Sequence, residues 1–269
     1  KENSKSYLNV KDLQFSPNSS RIGYLAQLED KKWVAVIDHQ EGLPYSDIKW
    51  LIFSPDGQHV AYCARNGEKE FVVIDGKEEK QYDEILASNF GFSPDGKKFV
   101  YFAYSDQKWV LVENSKEIFQ CNHVIPKSLH YGEKLYFQAK SGDKSYMVIS
   151  GKSEKHYDKI GFVKLNPVNG NLIYSAFEDG KWFLVDNGLE GQKYDMICEP
   201  LFSLDGEHYA YKAQKNQKWL MVIDGNEQPA YDDVQGFIFS PDGKQSAYIA
   251  SLKKKQFVVR NGQEGKKYE

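Results

Sequence analysis

The sequence lacks nearly every feature that announces a chemistry. Only three cysteines occur in 269 residues, and Cys63, Cys121 and Cys198 stand singly and far apart. An odd, scattered set excludes a disulfide framework and CxxC-type metal or redox sites, and predicts small buried hydrophobes. Positive charge is not in surplus: the net charge is −3 and the only basic cluster is Lys253, Lys254 and Lys255. The electrostatic footprint of a nucleic-acid binder is therefore missing. No apolar run approaches the roughly 18 residues that a membrane-spanning helix needs. HExxH, GxSxG and phosphate-binding glycine loops are all absent from the sequence. Sustained helical periodicity is missing too, because Gly, Pro and Asx punctuate every segment. The first residues, KENSKS, are polar and include no Met, which predicts a trimmed or processed form.

What the chain has instead is repetition. The phenylalanine of FSPDG recurs as Phe15, Phe53, Phe92, Leu129, Leu165, Phe202 and Phe239. Nine residues after this anchor comes Tyr24, Tyr62, Tyr101, Tyr174, Tyr211 or Tyr248, with Tyr136 seven residues on in the fourth copy. A turn-former follows at Asp38, Asp75, Asn114, Ser150, Asn187, Asp224 and Asn261. Seven residues beyond each of these stands Tyr45, Tyr82, Cys121, Tyr157, Tyr194, Tyr231 or Tyr268. Seven copies of a unit of about 37 residues are written end to end.

Each unit reads as four short strands. WLIFS closes on Pro55, which can end a strand but cannot donate within one. Asp56-Gly57 turns the chain into HVAYCA, and the polar RNGEKE leads to the β-branched FVVID. An Asx-Gly or Ser-Gly pair then signals a type I′ hairpin into the fourth strand, placed over QYDEI. The middle strands are apolar on both faces, so each sheet must pack between two others. Radial stacking achieves this while leaving only short, protected edges. The expected fold is all-β: a single domain over residues 1–269, built as a seven-bladed β-propeller of four-stranded antiparallel blades. Residues 5 to 10, which include Tyr7, are expected to complete the seventh blade.

Period-two alternation assigns faces along the anchor strand. Ser16, Ser54, Ser93, His130, Asn166, Ser203 and Ser240, one residue after the anchor, are expected to line the crowded wall of a central channel. The third strand carries Trp33, Trp109, Trp182 and Trp219 in one column, while Phe71, Tyr146 and Phe257 sit one residue later in the other copies. Aromatic mass that slides in register points to packing. The second-strand tyrosines are read likewise, with each hydroxyl on a backbone partner.

The repeats resemble the TolB-like, WD-repeat-like propeller repeats built on Ser-Pro-Asp-Gly. FSPDG at 53–57, 92–96 and 239–243 carries the resemblance, with FSLDG at 202–206, FSPNS at 15–19 and the later VVIDG and YD elements in support. The fourth copy departs from the pattern, with LHYGEK in place of FSPDGKK. The resemblance implies a propeller, bacterial relatives, and a lean toward a periplasmic or secreted location. Proteins of this kind include scaffolds, partner-binding proteins and gating domains of peptidases alike.

Catalysis requires convergent polar groups in a singular environment. His59 and His208 share one repeat position after the Asp-Gly turn and read as solvated strand starts. Asp83, Asp158, Asp195 and Asp232 follow outer tyrosines and read as a structural column bonded to nearby backbone. Function is sought where the repeats disagree. Three residues before the anchor stand Asp12, Trp50, Asn89, Pro126, Phe162, Glu199 and Gly236; one residue before it stand Gln14, Ile52, Gly91, Ser128, Lys164, Leu201 and Ile238. Trp50 and Phe162 are expected as apolar anchors at a channel mouth, with Asn89, His130, Lys164 and Glu199 giving polar specificity. The expected function is a non-catalytic binding or scaffold protein for a peptide, protein or small ligand, with no metal or cofactor, acting as a monomer. The alternatives are a regulatory or gating domain of a larger enzyme such as a hydrolase or peptidase, and a metal-dependent hydrolase at the channel mouth.

Overall fold

The computed structural model describes residues 6–125, 129–131 and 134–268; the side chains of Asn89, His130 and Tyr131 lie outside that description. All regular structure in it is β. Seven antiparallel sheets follow one another, each taking its strands in sequence order. The second is representative, with strands Asp47–Phe53, Val60–Asn66, Lys69–Ile74 and Lys77–Glu78. In the fourth and sixth sheets the first strand is split, into His123–Val124 and His130–Tyr131, and into Met196–Ile197 and Leu201–Phe202. This is the seven-bladed β-propeller architecture that the repeat predicts. The chain divides into two compact units, Lys1–Gly142 with Met147–Ser153, and Asp143–Tyr146 with Glu154–Glu269.

Within a blade the second and third strands are the most deeply buried. Phe71, Val72 and Val73 lose all contact with water, as apolar side chains on both faces require. The chain leaves the third strand through Asp75 and Gly76, both at positive φ, the type I′ geometry that matches strand twist. The fourth strand is shorter and earlier than QYDEI. It spans Lys77–Glu78, and Tyr82 adds one isolated bridge to Glu70. Glu84 and Ile85 already belong to the next blade's first strand, Glu84–Phe92.

Two kinds of latch join neighbouring blades. The first is built by the SPDG turn. Ser54 Oγ donates to Asp56 Oδ1 at 2.5 Å and accepts the His59 amide at 2.9 Å, locking the turn. Ser93, Ser203 and Ser240 make the same bonds. The serine column is thus consumed by its own turn rather than lining a channel. Gly96, at φ +73°, leaves room for the Asp56 carboxylate of the preceding blade; a Cβ there would lie 2.8 Å from it. Asn18 Nδ2 donates across to Asp56 O at 2.7 Å, and Asn166 Nδ2 to Gly206 O at 2.6 Å.

The second latch is the outer tyrosine. Tyr45, Tyr82, Tyr157 and Tyr231 each lean on the second-strand tyrosine of the following blade, at centroid separations of 6.3–6.4 Å. Their hydroxyls donate to that blade's fourth-strand glutamate: Glu78 at 2.9 Å, and Glu117, Glu190 and Glu264 at 3.1 Å. The hydroxyls of the second-strand Tyr101 and Tyr248 are buried without a hydrogen-bond partner among the described residues, not on the expected backbone group. Each such ring pair contributes about 0.5–1.5 kcal/mol beyond its buried area.

The N-terminal segment does not complete the last blade. Asn9 and Val10 pair with Gln27 and Ala26 inside blade one, because the strand Asn9–Phe15 runs on through its bulge and stays in register there. Tyr7 makes the outer-tyrosine contact to Tyr24 and donates to Glu41 at 2.7 Å. The seventh sheet has its own fourth strand, Gln263–Glu264, and its own bridge from Tyr268 to Gln256.

Blade two replaces the third-strand tryptophan with Glu70. In blade one Lys11 lies 4.3 Å from the Trp33 ring; in blade two Lys49, at the equivalent position, lies 2.6 Å from the Glu70 carboxylate. Glu70 is only 1% exposed. Arg65 also binds it, and the Ile85 amide donates to its second oxygen at 2.9 Å. Burial pushes its pKa up, but Lys49, Arg65 and the Ile85 amide more than offset this and hold it below the usual carboxylate range.

Two stability predictions follow from these contacts. Gly96→Ala should cost about 2–4 kcal/mol in denaturant unfolding, because a backbone penalty adds to a clash. Gly67→Ala, at φ +63° in open space, should cost only the backbone term of about 1–2 kcal/mol. Glu70→Gln should lower stability at neutral pH by about 1–3 kcal/mol. A group held below its unfolded pKa stabilises above that pKa and loses the contribution as pH falls through the folded one. The gap between wild type and Glu70→Gln should accordingly narrow on acidification; a pH-independent gap would refute the ionic role.

Candidate functional site

The position three residues before the anchor falls in a β-bulge of the first strand. In blade two Ile48 pairs with Ala64 and Leu51 with Tyr62, so Lys49 and Trp50 are the extra residues. Gly161 and Phe162 are placed likewise in blade five, as are Gly236 and Phe237 in blade seven. A bulge breaks the period of two and re-aims the side chains it carries. That local rule decides what each candidate residue does.

Trp50 is redirected inward. It is 9% exposed, and its ring stacks on Phe90 of the next blade at 3.8 Å and 8°. Ala61, Cys63, Phe99 and Tyr101 complete the surrounding cluster. The indole is a packing group between blades two and three, not an anchor open to a ligand. Phe162 is half-buried against the cluster of Ile173, Tyr194 and Tyr211. Asn89 and His130 stand on first strands, and their side chains lie outside the described residues. Lys164 and Glu199 do come together. Lys164 Nζ lies 3.1 Å from Glu199 Oε1 and donates to Pro200 O at 3.1 Å, bridging blades five and six. Trp50, Asn89 and His130 belong to one unit, and Phe162, Lys164 and Glu199 to the other.

Beside Lys164 and Glu199 the structure exposes apolar side chains that the candidate set omits. Val168 is 59% exposed and Leu204 76% exposed, at the first turns of blades five and six. Other turns have Asp56 or Asp95 where Val168 stands, and Pro55 or Pro94 where Leu204 stands. The two turns touch, since a Cβ on Gly206 would lie 2.6 Å from Val168 Cβ. Leu201 and Ile238, in the column of Lys164, are 45% and 60% exposed. The readable signal is the departure of NPVNG and FSLDG from Ser-Pro-Asp-Gly.

The remaining titratable groups are structural. Asp83, Asp158, Asp195 and Asp232 each pair with a lysine fourteen residues earlier: Lys69, Lys144, Lys181 and Lys218. Asp195 and Asp232 also accept the amides of Asn216 and Lys253. His59 and His208 are not merely solvated, for each Nδ1 lies 2.7 Å from a carboxylate, of Asp75 and Asp224. Among the described residues no three His, Cys, Asp or Glu side chains converge as a metal requires, and no helix is long and apolar enough to cross a membrane. Burial pushes the Cys63 thiol up to about 12 and the Cys121 thiol up to about 11. Cys198 is half-buried.

Neither a protein-family model nor a curated protein matches the chain. Solved structures similar to it include a eukaryotic initiation factor, at 13% identity and TM-score 0.43 over 99% of this chain and 77% of that one. The β-propeller domain of the Trilobed protease from Pyrococcus furiosus is similar at 14% identity and TM-score 0.42, over 97% and 98%. TolB from Acinetobacter baumannii is similar at 16% identity and TM-score 0.28, over 91% and 62%. The propeller architecture rests on the sheet order and blade contacts described above.

Trp50→Ala should destabilise the protein by about 3–5 kcal/mol, the cost of emptying a large core site. Equilibrium urea unfolding checks this; a change below about 0.5 kcal/mol would remove Trp50 from the core.

Proposed function

We propose that the protein is a non-catalytic binding module that engages a protein or peptide through the first strands and first turns of blades five to seven. One observation carries the reading: Val168 and Leu204 stand in water at turn positions where other repeats hold Asp or Pro, and Leu201 and Ile238 are exposed on the first strands of blades six and seven. Exposed apolar groups in a patch with a polar rim mark an interaction surface. Lys164 supplies that rim, and its bonds to Glu199 and Pro200 reduce the ordering cost of binding. A partner that fits would offer apolar side chains to Leu204 and Leu201 and an acceptor to Lys164.

Selection of peptides from a random phage-displayed library on the immobilised protein tests the reading. Apolar-rich sequences should enrich, and the double variant Leu201→Glu, Leu204→Glu should lose their binding at least tenfold with its melting temperature unchanged. Equal recovery by wild type and variant would refute the surface.

A further inference from the structure

Between blades six and seven runs a groove of about 500 Å³ whose lining includes none of Val168, Leu201, Leu204 and Ile238. One wall is the hairpin turn after the strand Lys218–Ile223, with Asp224, Asn226 and Gln228. The other holds Gln245, Ser246 and Asn261 of blade seven, and Phe239 and Ile223 form the apolar lining. That volume lies within the range of small-molecule sites. We propose that this groove binds a neutral carbohydrate.

The argument starts from which polar atoms are already committed. Asp224 has one oxygen on His208 Nδ1 at 2.7 Å and the other on the Tyr209 amide at 2.9 Å. A carboxylate only accepts, so His208 Nδ1 carries a proton and Nε2 is turned away from Asp224. Gln245 Oε1 accepts from Arg260 at 3.0 Å, leaving the Gln245 amide nitrogen to donate. Asn261 Oδ1 accepts the Ser246 amide at 2.8 Å, which leaves its NH₂ as a donor. Asn226 and Gln228 spend their NH₂ groups on backbone oxygens at 3.2 and 3.4 Å, so their carbonyls accept. The groove thus presents the side-chain carbonyls of Asn226 and Gln228 as acceptors on one wall and the amides of Gln245 and Asn261 as donors on the other.

A hydroxyl both donates and accepts, and a row of hydroxyls on one ring meets alternating donors and acceptors without stranding any of them. A fully ionic ligand would fit poorly, because the lining carboxylate is paired and Lys244 is the one lining cation. Phe239 and the His208 ring stacked on it, 6.2 Å away at 29°, give the groove an aromatic lining against which the C–H side of a sugar ring can pack. The equivalent groove between blades one and two serves as an internal contrast. It is lined by Arg21, Asp38, Glu41 and Asp75, and Arg21 is ion-paired with Asp38 at 2.8 Å. Same backbone, different chemistry: the amide-rich lining belongs to the blade six–seven groove.

The test uses the whole chain on an array of immobilised neutral and acidic glycans, followed by titration calorimetry with the best-retained neutral disaccharide. Neutral glycans should be retained. Affinity should fall at least tenfold in Gln228→Ala and in His208→Phe, which keeps a ring over Phe239 but removes the polar imidazole nitrogens. Melting temperatures of both variants should match wild type, and Gln40→Ala in the blade one–two groove should bind normally. Retention of no glycan, retention of acidic glycans alone, or neutral-glycan binding that survives both substitutions would overturn the proposal.

Discussion

The structure depends on one constraint: no blade can bury its own apolar faces, so each must hand side chains to the next. The outer tyrosine does this most plainly. It leaves its own sheet by a single bridge, lies against the second-strand tyrosine of the following blade, and gives its hydroxyl to that blade's glutamate. Such a contact works only if the number of residues between the tyrosine and the next anchor stays nearly constant. The fixed spacing of the repeat is therefore a packing requirement. Where two residues are added, before Phe92, the first-strand bulge takes them up and leaves the flanking pairs Ile85–Ala103 and Phe90–Tyr101 in place.

The same constraint explains the chemistry of the SPDG turn. The serine satisfies the turn, the aspartate both caps it and leans on the next blade's glycine, and the glycine must lack a Cβ at positive φ. Four residues thus close one turn and dock two blades. The Glu70 cage shows that the third-strand column tolerates chemical replacement as long as its space is filled. A lysine that covers an indole in blade one covers a carboxylate in blade two, and Arg65 and a backbone amide supply the remaining stabilisation.

Strand order, blade number and hairpin type were legible from the sequence because they follow from spacing and from residues with few conformational options. Asp75-Gly76 has little choice but a type I′ turn. Side-chain direction in the first strand was not legible. Alternation assumes an unbroken period of two, and the bulge shifts its parity just before the anchor, which is why Trp50 lies between blades instead of facing a ligand. The serine column misled for another reason. A small polar residue beside a turn can face solvent or cap the turn, and only the coordinates show the His59 amide on Ser54 Oγ. The pairing of Lys164 with Glu199 was half visible: both residues stood out as unlike their columns, but their contact across blades has no sequence signature.

Positions consumed by the latches cannot also bind a ligand, and this sorts the surface. Phe53, the outer tyrosines Tyr45, Tyr82, Tyr157 and Tyr231, the turn serines and Gly96 are each committed to a neighbour. The Lys–Asp pairs fourteen residues apart are exposed and screened by solvent, so they add little to stability. Two places escape commitment: the tip of the first turn and the wall residues of the grooves between blades. Divergence among the copies is greatest there. Val168 and Leu204 replace polar or rigid turn residues, while Asn226, Gln228, Gln245 and Asn261 furnish a groove whose counterpart between blades one and two is ionic. A repeat free to vary only where packing makes no demand will carry its specificity at those places, whatever partner it meets.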